Sequence, residues 1–369
     1  YPKGLVPYQS TRWISNVWTD FWTNKEATLR EKLWAYKHGF LSYRIPQYGI
    51  TEENLGEYIS DFEYKWLRHI NPKYRKWMDK ITVKYVCSDY NDCFPAYYYH
   101  IICKNGNNKV ISMMDLPEGY TNTFDEIFRL VEQKGVLALK PDEGSHGDGF
   151  YKFTYEDGKY QLNYQDVTKQ QVLDILEDIN NQYLVTEYIN MCDELKAVYD
   201  GAVNTVRMIV FKKDGKNPQI GNAYVRFGSK KTGAVDNVGA GGMTATIDVA
   251  TGHFHDAKIV MNNSIEDCPI HPDTGVPIDG YLPHWEQVKQ QVLDVTKSIK
   301  QLEFFGVDLA VTNDGIKFPE INRFPDYPAV EKYTKPTREY LLYKLAGKKH
   351  HYGYDVTPNR TLVHLPKRD

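Results

Sequence analysis

At 369 residues, with 41 % hydrophobic and 25 % charged side chains, the chain is long enough for two or three domains around a large core. Its formal net charge of -3 gives no broad basic field, so duplex nucleic acid is not favoured as a bulk electrostatic partner. Five cysteines, Cys87, Cys93, Cys103, Cys192 and Cys268, are odd in number and contain no CxxC pair, which argues against a disulfide framework or a zinc knuckle and for a reducing, cytoplasmic setting.

No apolar run approaches a membrane span, and the opening YPKGLVPYQS lacks the charged-then-apolar order of a signal peptide. The start at Tyr1 rather than Met leaves a preceding segment open. Six of the seven tryptophans, Trp13, Trp18, Trp22, Trp34, Trp66 and Trp77, fall in the first 80 residues, which reads as a helical subdomain of its own. Trp18, Trp22, Leu29, Leu33, Trp34 and Tyr36 recur at helical intervals from Trp13 to Lys37, and Gly39 fits a stop. These aromatics suit a small core, a sugar-stacking platform or a partner surface. A second helix is predicted from the cap-like Thr51-Glu52-Glu53-Asn54, and a third near Pro72 to Met78.

Strands follow from Pro95. Tyr97 to Cys103 and Val110 to Met114 flank a polar turn and predict a hairpin. A helix is expected at Phe124 to Gln133, then a buried strand Gly135 to Pro141, a loop Gly144-Ser145-His146-Gly147-Asp148-Gly149, and a strand from Phe150 to Tyr155. This strand, loop, strand order is not a Walker P-loop, which needs a helix and a Lys-Ser or Lys-Thr pair after the last glycine. Next come a helix (Lys169 to Ile179), a strand (Tyr183 to Ile189) and several strands from Thr205 to Ile247 around the turn Gly239-Ala240-Gly241-Gly242. A helix at His284 to Leu302 precedes a hairpin of Val307 to Thr312 and Ile316 to Ile321, and a polar tail closes the chain.

Triphosphate calls for cations and backbone donors, and a loop with glycines at 144, 147 and 149 after Lys140 can supply both. In the last hairpin, Asp308 can sit across from Glu320, and two-residue alternation places Glu320 and Asn322 on one face. Adjacent carboxylates repel unless a cation or proton is shared, so Mg²⁺ bridging nucleotide phosphates is the economical reading. No Ser-His-Asp or Cys-His constellation stands out.

With these motifs the chain resembles the ATP-grasp superfamily, and within it the sugar-transfer-associated branch found near capsule and cell-wall polysaccharide genes, over roughly residues 79 to 330. Asp79-Lys80-Ile81-Thr82-Val83-Lys84 is similar to its Asp-Lys-x-x-x-Lys segment, and Lys140-Pro141 with the glycine loop resembles its second lysine and phosphate-covering flap. Leu184 to Ile189 looks like the interlobe hinge, so the resemblance implies that Glu187, Tyr188 and Ile189 face adenine and that Glu194, or its rival Asp193, binds ribose. Asn204-Thr205-Val206-Arg207 is similar to a branch strand, implying that Arg207 or Arg226 clamps a phosphoryl group or a substrate carboxylate. Asp236-Asn237 with Ala240-Gly241-Gly242 matches a motif beside the acceptor, and Asp308, Glu320 and Asn322 take the magnesium positions. Two departures are His146 in the flap, a phosphate contact or an exposed loop histidine, and Arg323 after the last asparagine, a substrate contact or an outward ion pair.

The resemblance implies an α+β ATP-grasp fold whose two lobes clamp ATP, with Mg²⁺. The expected parts are a helical region over 1–78, an N-terminal and central part over 79–135, a small lobe over 136–190, a C-terminal lobe over 191–345 and a tail over 346–369. It implies a ligase that converts a carboxylate to an acylphosphate and captures it with an amine, magnesium with Lys84, Lys140 and Arg207 stabilising phosphoryl charge. The expected substrates are an amino acid or other amine and a carboxylated sugar or glycan precursor, with glycan-biosynthesis proteins as partners. The alternatives are a kinase acting on a sugar or polyol and a nucleotide-binding scaffold for glycan enzymes.

Overall fold

The computed structural model describes residues 7–67, 70–71, 79–142, 149–261, 264–323, 325 and 333–350. The N-terminal part is helical: α1 (Pro7–Thr23), α2 (Leu29–Lys37), α3 (Arg44–Tyr48) and α4 (Asp61–Leu67). The periodic stretch expected from Trp13 to Lys37 is two helices, because Thr28 starts a new one with a capping box in which its side chain accepts from the Glu31 N–H and Glu31 answers at the Thr28 N–H, 2.7 Å. Gly39 ends α2's extension with φ +82°. The helix expected from Thr51 does not form. Thr51 and Asn54 do exchange cap bonds, but Leu55-Gly56-Glu57 makes only a single 3₁₀ turn. The helix expected over 72–78 lies outside the described residues.

The next segment runs through α5 (Lys80–Val86), β1 (Tyr97–Lys104), β2 (Asn107–Ser112), α6 (Phe124–Lys134), β3 (Val136–Pro141), β4 (Tyr151–Glu156), β5 (Lys159–Leu162), β6 (Gln165–Val167), α7 (Lys169–Leu176) and β7 (Tyr183–Glu187). Its strands form one antiparallel sheet in the order β2-β1-β7-β3-β4-β5-β6, so residues 79–135 and 136–190 contribute to the same sheet. Asn105-Gly106, Asp157-Gly158 and Asn163-Tyr164 all have positive φ, the two-residue hairpin geometry that matches strand twist. One face packs Tyr99, Ile101, Leu137, Leu139, Phe153 and Val185 against α6 and α7.

The second sheet follows from α8 (Asp193–Val198), β8 (Val206–Phe211), β9 (Gln219–Phe227), β10 (Met243–Ile247), β11 (His253–Met261), β12 (Ser264–Asp267), β13 (Gly280–Tyr281), α9 (Trp285–Ser298), β14 (Phe304–Val311), β15 (Ile316–Asn322) and α10 (Lys335–His350). Its order is β12-β11-β10-β9-β8-β14-β15, with β13 on β11. Alternation sends Val206, Met208, Val225, Met243, Val307 and Leu309 to the core beneath α9 and leaves Arg207, Arg226 and Asp308 on the opposite face. Farther along that opposite face, Ile209, Phe211 and Phe304 are covered by α4 and α10 in a cluster with Tyr64, Leu67, Ile70 and Tyr340. The helical region is thus not a separate subdomain, since part of its core is the back half of the site-bearing face. The expected tail begins later than 346, because α10 continues to His350.

Candidate active site

The hairpin of β14 and β15 pairs Asp308 directly with Glu320 and Gly306 with Asn322, the register expected from sequence. Asp308 also pairs with Arg207 on β8, and Arg207 with Tyr224 on β9, so one row crosses the polar face. Gly306 gives Arg207 room, since a Cβ there would stand 3.2 Å from the arginine Cδ and 2.9 Å from Pro325 Cβ.

Asp308 is a clamped carboxylate. Arg207 donates to both its oxygens, to Oδ2 at 2.9 Å, and Arg226 Nη2 donates to Oδ2 at 3.2 Å. Arg226 Nε also lies 3.3 Å from Asp236, which accepts from the Thr205 N–H at 2.8 Å. Burial alone would raise the Asp308 carboxyl, yet Arg207 and Arg226 hold it below the usual range. Opposite it, burial and then the Asp308 charge push Glu320 up, against the pull of Lys80 and the arginines. The repulsion read from the sequence as a reason for metal is therefore relieved at Asp308 by two guanidiniums.

Lysines approach from α5, which packs against β15, and from β3 of the first sheet. Asp79 caps α5 by accepting from the Thr82 N–H, 2.8 Å, which points Lys80 and Lys84 along one side of a short helix. Lys84 is buried, donates to Pro95 O at 2.7 Å and pairs with Asp115 at 2.6 Å. Burial lowers its pKa, with Asp115 opposing. Lys80 reaches the Pro141 and Asp142 carbonyls at the end of β3. Lys140 and Lys84 converge on the Tyr97 ring, at 4.9 and 5.0 Å from its centroid. Burial, then the Lys80 charge, lowers Lys140 to about 7, and Glu320 acts on it in the opposite direction. The two sheets and α5 therefore bring lysines and acids into one electrostatic cluster, with Glu320 acting on both Lys140 and Tyr97.

The remaining expected residues are placed differently. Glu187 accepts from the Ala96 N–H at 2.9 Å and from Lys317 Nζ at 3.3 Å, so its carboxylate ties β7 to β15. Tyr188 lies under Lys152 Nζ, 5.0 Å from its centroid, and Ile189 is buried. Asp193 and Glu194 are exposed in the first turn of α8, where Asp193 pairs with Lys196 at 3.6 Å. Gly149 has φ +75°, and a Cβ there would meet Pro141 Cγ at 3.0 Å. Gly144, Ser145, His146 and Gly147 lie outside the described residues. Arg323 donates to Asn71 O at 3.4 Å, toward the helical region. Sequence reasoning missed Lys80, Tyr97, Asp115 and Lys317 as members of the cluster. Lys80 was within the quoted motif, whereas nothing local distinguishes Asp115, whose role depends on β1 and α5 meeting.

For magnesium the donor chemistry fits in part. Glu320 and Asn322 are oxygen donors on one face, and a half-buried carboxylate beside the Asp308 charge suits a hard cation. Asp308 serves the arginines in this arrangement, and among the described residues no group of three or more His, Cys, Asp or Glu forms a cation cage.

Two antiparallel sheets, with a lysine on one facing an acid-bearing hairpin on the other, define an ATP-grasp fold. The family model described as sugar-transfer associated ATP-grasp matches residues 62–329, and the chain belongs to that family. Among solved structures, the chain is similar to the D-alanine–D-alanine ligase from Bacillus anthracis complexed with ATP, at 14 % identity over 75 % of this chain and 62 % of that one, TM-score 0.35. It is similar to the VanG D-Ala:D-Ser ligase from Enterococcus faecalis, at 16 % identity over 78 % and 64 %, TM-score 0.35. It is also similar to the N5-carboxyaminoimidazole synthetase from Staphylococcus aureus complexed with ADP, at 11 % identity over 78 % and 52 %, TM-score 0.35. The chain thus spans less than two thirds of the length of each of these three. No curated protein matches it.

Proposed function

We propose that the protein is an ATP-dependent carboxylate–amine ligase that works through an acylphosphate and releases ADP and phosphate. The observation that carries this reading is the convergence of Lys84 and Lys140 over Tyr97 beside Glu320, with the Arg207–Asp308–Arg226 clamp on the facing sheet. Cations on both sides suit a transferring phosphoryl group, whose chemistry needs positioning and charge stabilisation more than a protein nucleophile.

In this reading a substrate carboxylate oxygen attacks the γ-phosphorus, forming a C–O–P linkage as the bond to the β-phosphate bridging oxygen breaks and ADP leaves. Lys84 and Lys140 hold the phosphates. Arg207 and Arg226, fixed by Asp308 and Asp236, orient the acceptor carboxylate and meet the charge on the phosphoryl oxygens. A neutral amine then attacks the acyl carbon, phosphate departs, and the nitrogen loses its proton to give the amide. The residues that would hold magnesium are Glu320 and Asn322, and the ion would supply screening of phosphate charge.

As part of this proposal, Glu187 to Ile189 form the adenine side, Asp193 or Glu194 binds ribose, and the segment 144–149 covers the phosphates. The carboxylate belongs to a sugar or glycan precursor, a choice supported by the family's association with sugar transfer. The five free thiols suit a cytoplasmic location.

Incubation of the protein with ATP and panels of carboxylates and amines, read by product mass, tests the reaction class. Ligation yields an amide together with ADP and phosphate only when both partners are present. An acceptor that keeps the phosphoryl group without any amine would replace the ligase by a kinase.

A further inference from the structure

The first two helices wear their amphipathicity inside out. Ile14, Trp18 and Trp22 recur every fourth residue on α1, Leu29 and Leu33 do so on α2, and all five are 58 to 66 % exposed. In a helix that packs on its own protein this stripe would face inward. Here the inward positions are used by other groups. Trp13 meets Phe62 of α4 edge-on at 5.5 Å. Asp20 is buried, accepting from Tyr36 Oη at 2.7 Å and from the Ser42 N–H at 2.8 Å. Lys32 is buried too, donating to Phe21 O at 2.7 Å. With the Thr28–Glu31 capping box, these bonds fix both helices in place, so the apolar stripe is held outward by a built framework.

Charge around the stripe differs from that of the whole chain. Between Pro7 and Lys37 there are five cations, Arg12, Lys25, Arg30, Lys32 and Lys37, against three carboxylates, Asp20, Glu26 and Glu31. Of these, Asp20 and Lys32 are buried, which leaves Arg12, Lys25, Arg30 and Lys37 exposed against Glu26 and Glu31, the last engaged in its cap. Lys25 lies between the two apolar segments, and Lys37 continues the four-residue spacing of Leu29 and Leu33. Two exposed indoles in edge-to-face contact at 5.7 Å, flanked by leucines and by basic side chains, have the chemistry of a surface that enters the headgroup boundary of an anionic bilayer. No described helix is long and apolar enough to cross a membrane, so such binding would be peripheral.

We propose that the outer face of α1 and α2 docks this enzyme onto an anionic lipid surface, through Ile14, Trp18, Trp22, Leu29 and Leu33 with Lys25, Arg30 and Lys37 at the rim. This role is separate from the ATP site, so it stands or falls independently of the ligase reading.

The test is cosedimentation of the full chain with phosphatidylcholine vesicles with and without about 30 % phosphatidylglycerol, beside analytical ultracentrifugation without lipid. Expected are binding to the anionic vesicles, its weakening by salt, and a blue shift of tryptophan emission. Trp18→Ser with Trp22→Ser should weaken vesicle binding at least about tenfold with an unchanged thermal transition. Should that variant fail to fold, Lys25→Glu with Arg30→Glu alters only exposed charge and should weaken binding to anionic vesicles by a comparable factor. Failure of the wild type to bind anionic vesicles, unweakened binding by the charge variant, or a lipid-independent dimer that the tryptophan variant dissociates would each overturn the proposal, the last in favour of self-association.

Discussion

Asp308 and Glu320 face each other across one hairpin but differ in what surrounds them. Asp308 has two guanidiniums on its oxygens, whereas Glu320 carries a raised proton affinity beside it. Removing Asp308 takes from Arg207 the carboxylate that accepts two of its hydrogen bonds, while Arg226 keeps Asp236, so Asp308→Ala should cost about 3 to 5 kcal/mol, the range for breaking a buried pair from one side. Glu320→Gln removes a charge that burial disfavours and should change stability by less than about 1 kcal/mol while abolishing turnover. Denaturant midpoints of the two variants decide this, and equal losses would contradict the asymmetry. Lys140 gives a pH test. Its folded-state pKa of about 7 lies below its ordinary 10.5, so between these values the unfolded chain holds a proton that the folded chain lacks. Stability from this group therefore rises with pH across that window and falls as pH drops toward 7. Phosphate beside Lys140 restores its proton, so nucleotide binding near pH 8 should take up a proton that Lys140→Met does not. Calorimetry in buffers of different ionisation enthalpy reads this directly, and no difference between the two proteins would remove Lys140 from the phosphate site.

At the scale of elements, what was legible followed from local rules. The hairpin of β1 and β2, the amphipathic α6 and the antiparallel pairing of β14 with β15 all rest on alternation, helical period and turn residues within a short window. The turn Asn313-Asp314-Gly315 pairs Val311 with Ile316, a register that would set Pro319 across from Asp308, and a shift between Asp308 and Ala310 brings Glu320 there instead. Local rules failed where the deciding partner is distant. Thr51 carries the chemistry of a cap, yet Gly56 follows before a helix can grow. Trp18 and Trp22 have core-like spacing, and only the placement of Trp13 against α4, of Asp20 against the loop after α2 and of Lys32 against the Phe21 carbonyl turns them outward. Arg207 and Arg226 were picked out as candidate substrate clamps, but their hold on Asp308 depends on β8 lying between β9 and β14, a strand order no local pattern reveals.

At the scale of the whole molecule, the helical region and the second sheet form one body. Ile59, Tyr64, Leu67 and Ile70 share a core with Ile209, Phe211, Phe304 and Tyr340. Polar contacts reinforce it. Asn71 is buried, donates to Phe304 O at 2.5 Å and Arg323 O at 2.9 Å, and accepts from the Glu303 N–H at 2.9 Å, while Tyr64 Oη donates to Pro325 O. These bonds hold the open end, where β14 begins and β15 finishes, of the hairpin that carries Asp308, Glu320 and Asn322. A chain begun at Asp79 keeps every residue assigned to the ATP site but uncovers Phe211, Phe304 and Tyr340, and removes Asn71 and Tyr64 from four buried or part-buried backbone groups. Each such group costs about 1 to 3 kcal/mol when unsatisfied, and together they approach the net stability of a domain. The shortened protein should therefore aggregate or melt far below the full chain and fail to bind ATP, and the full chain should unfold with its helical region and second sheet in a single transition. Calorimetry of both, with ATP binding measured beside it, decides the matter. A soluble fragment that binds ATP with an undiminished midpoint would show that the helical region is an attachment rather than part of the body that holds the site.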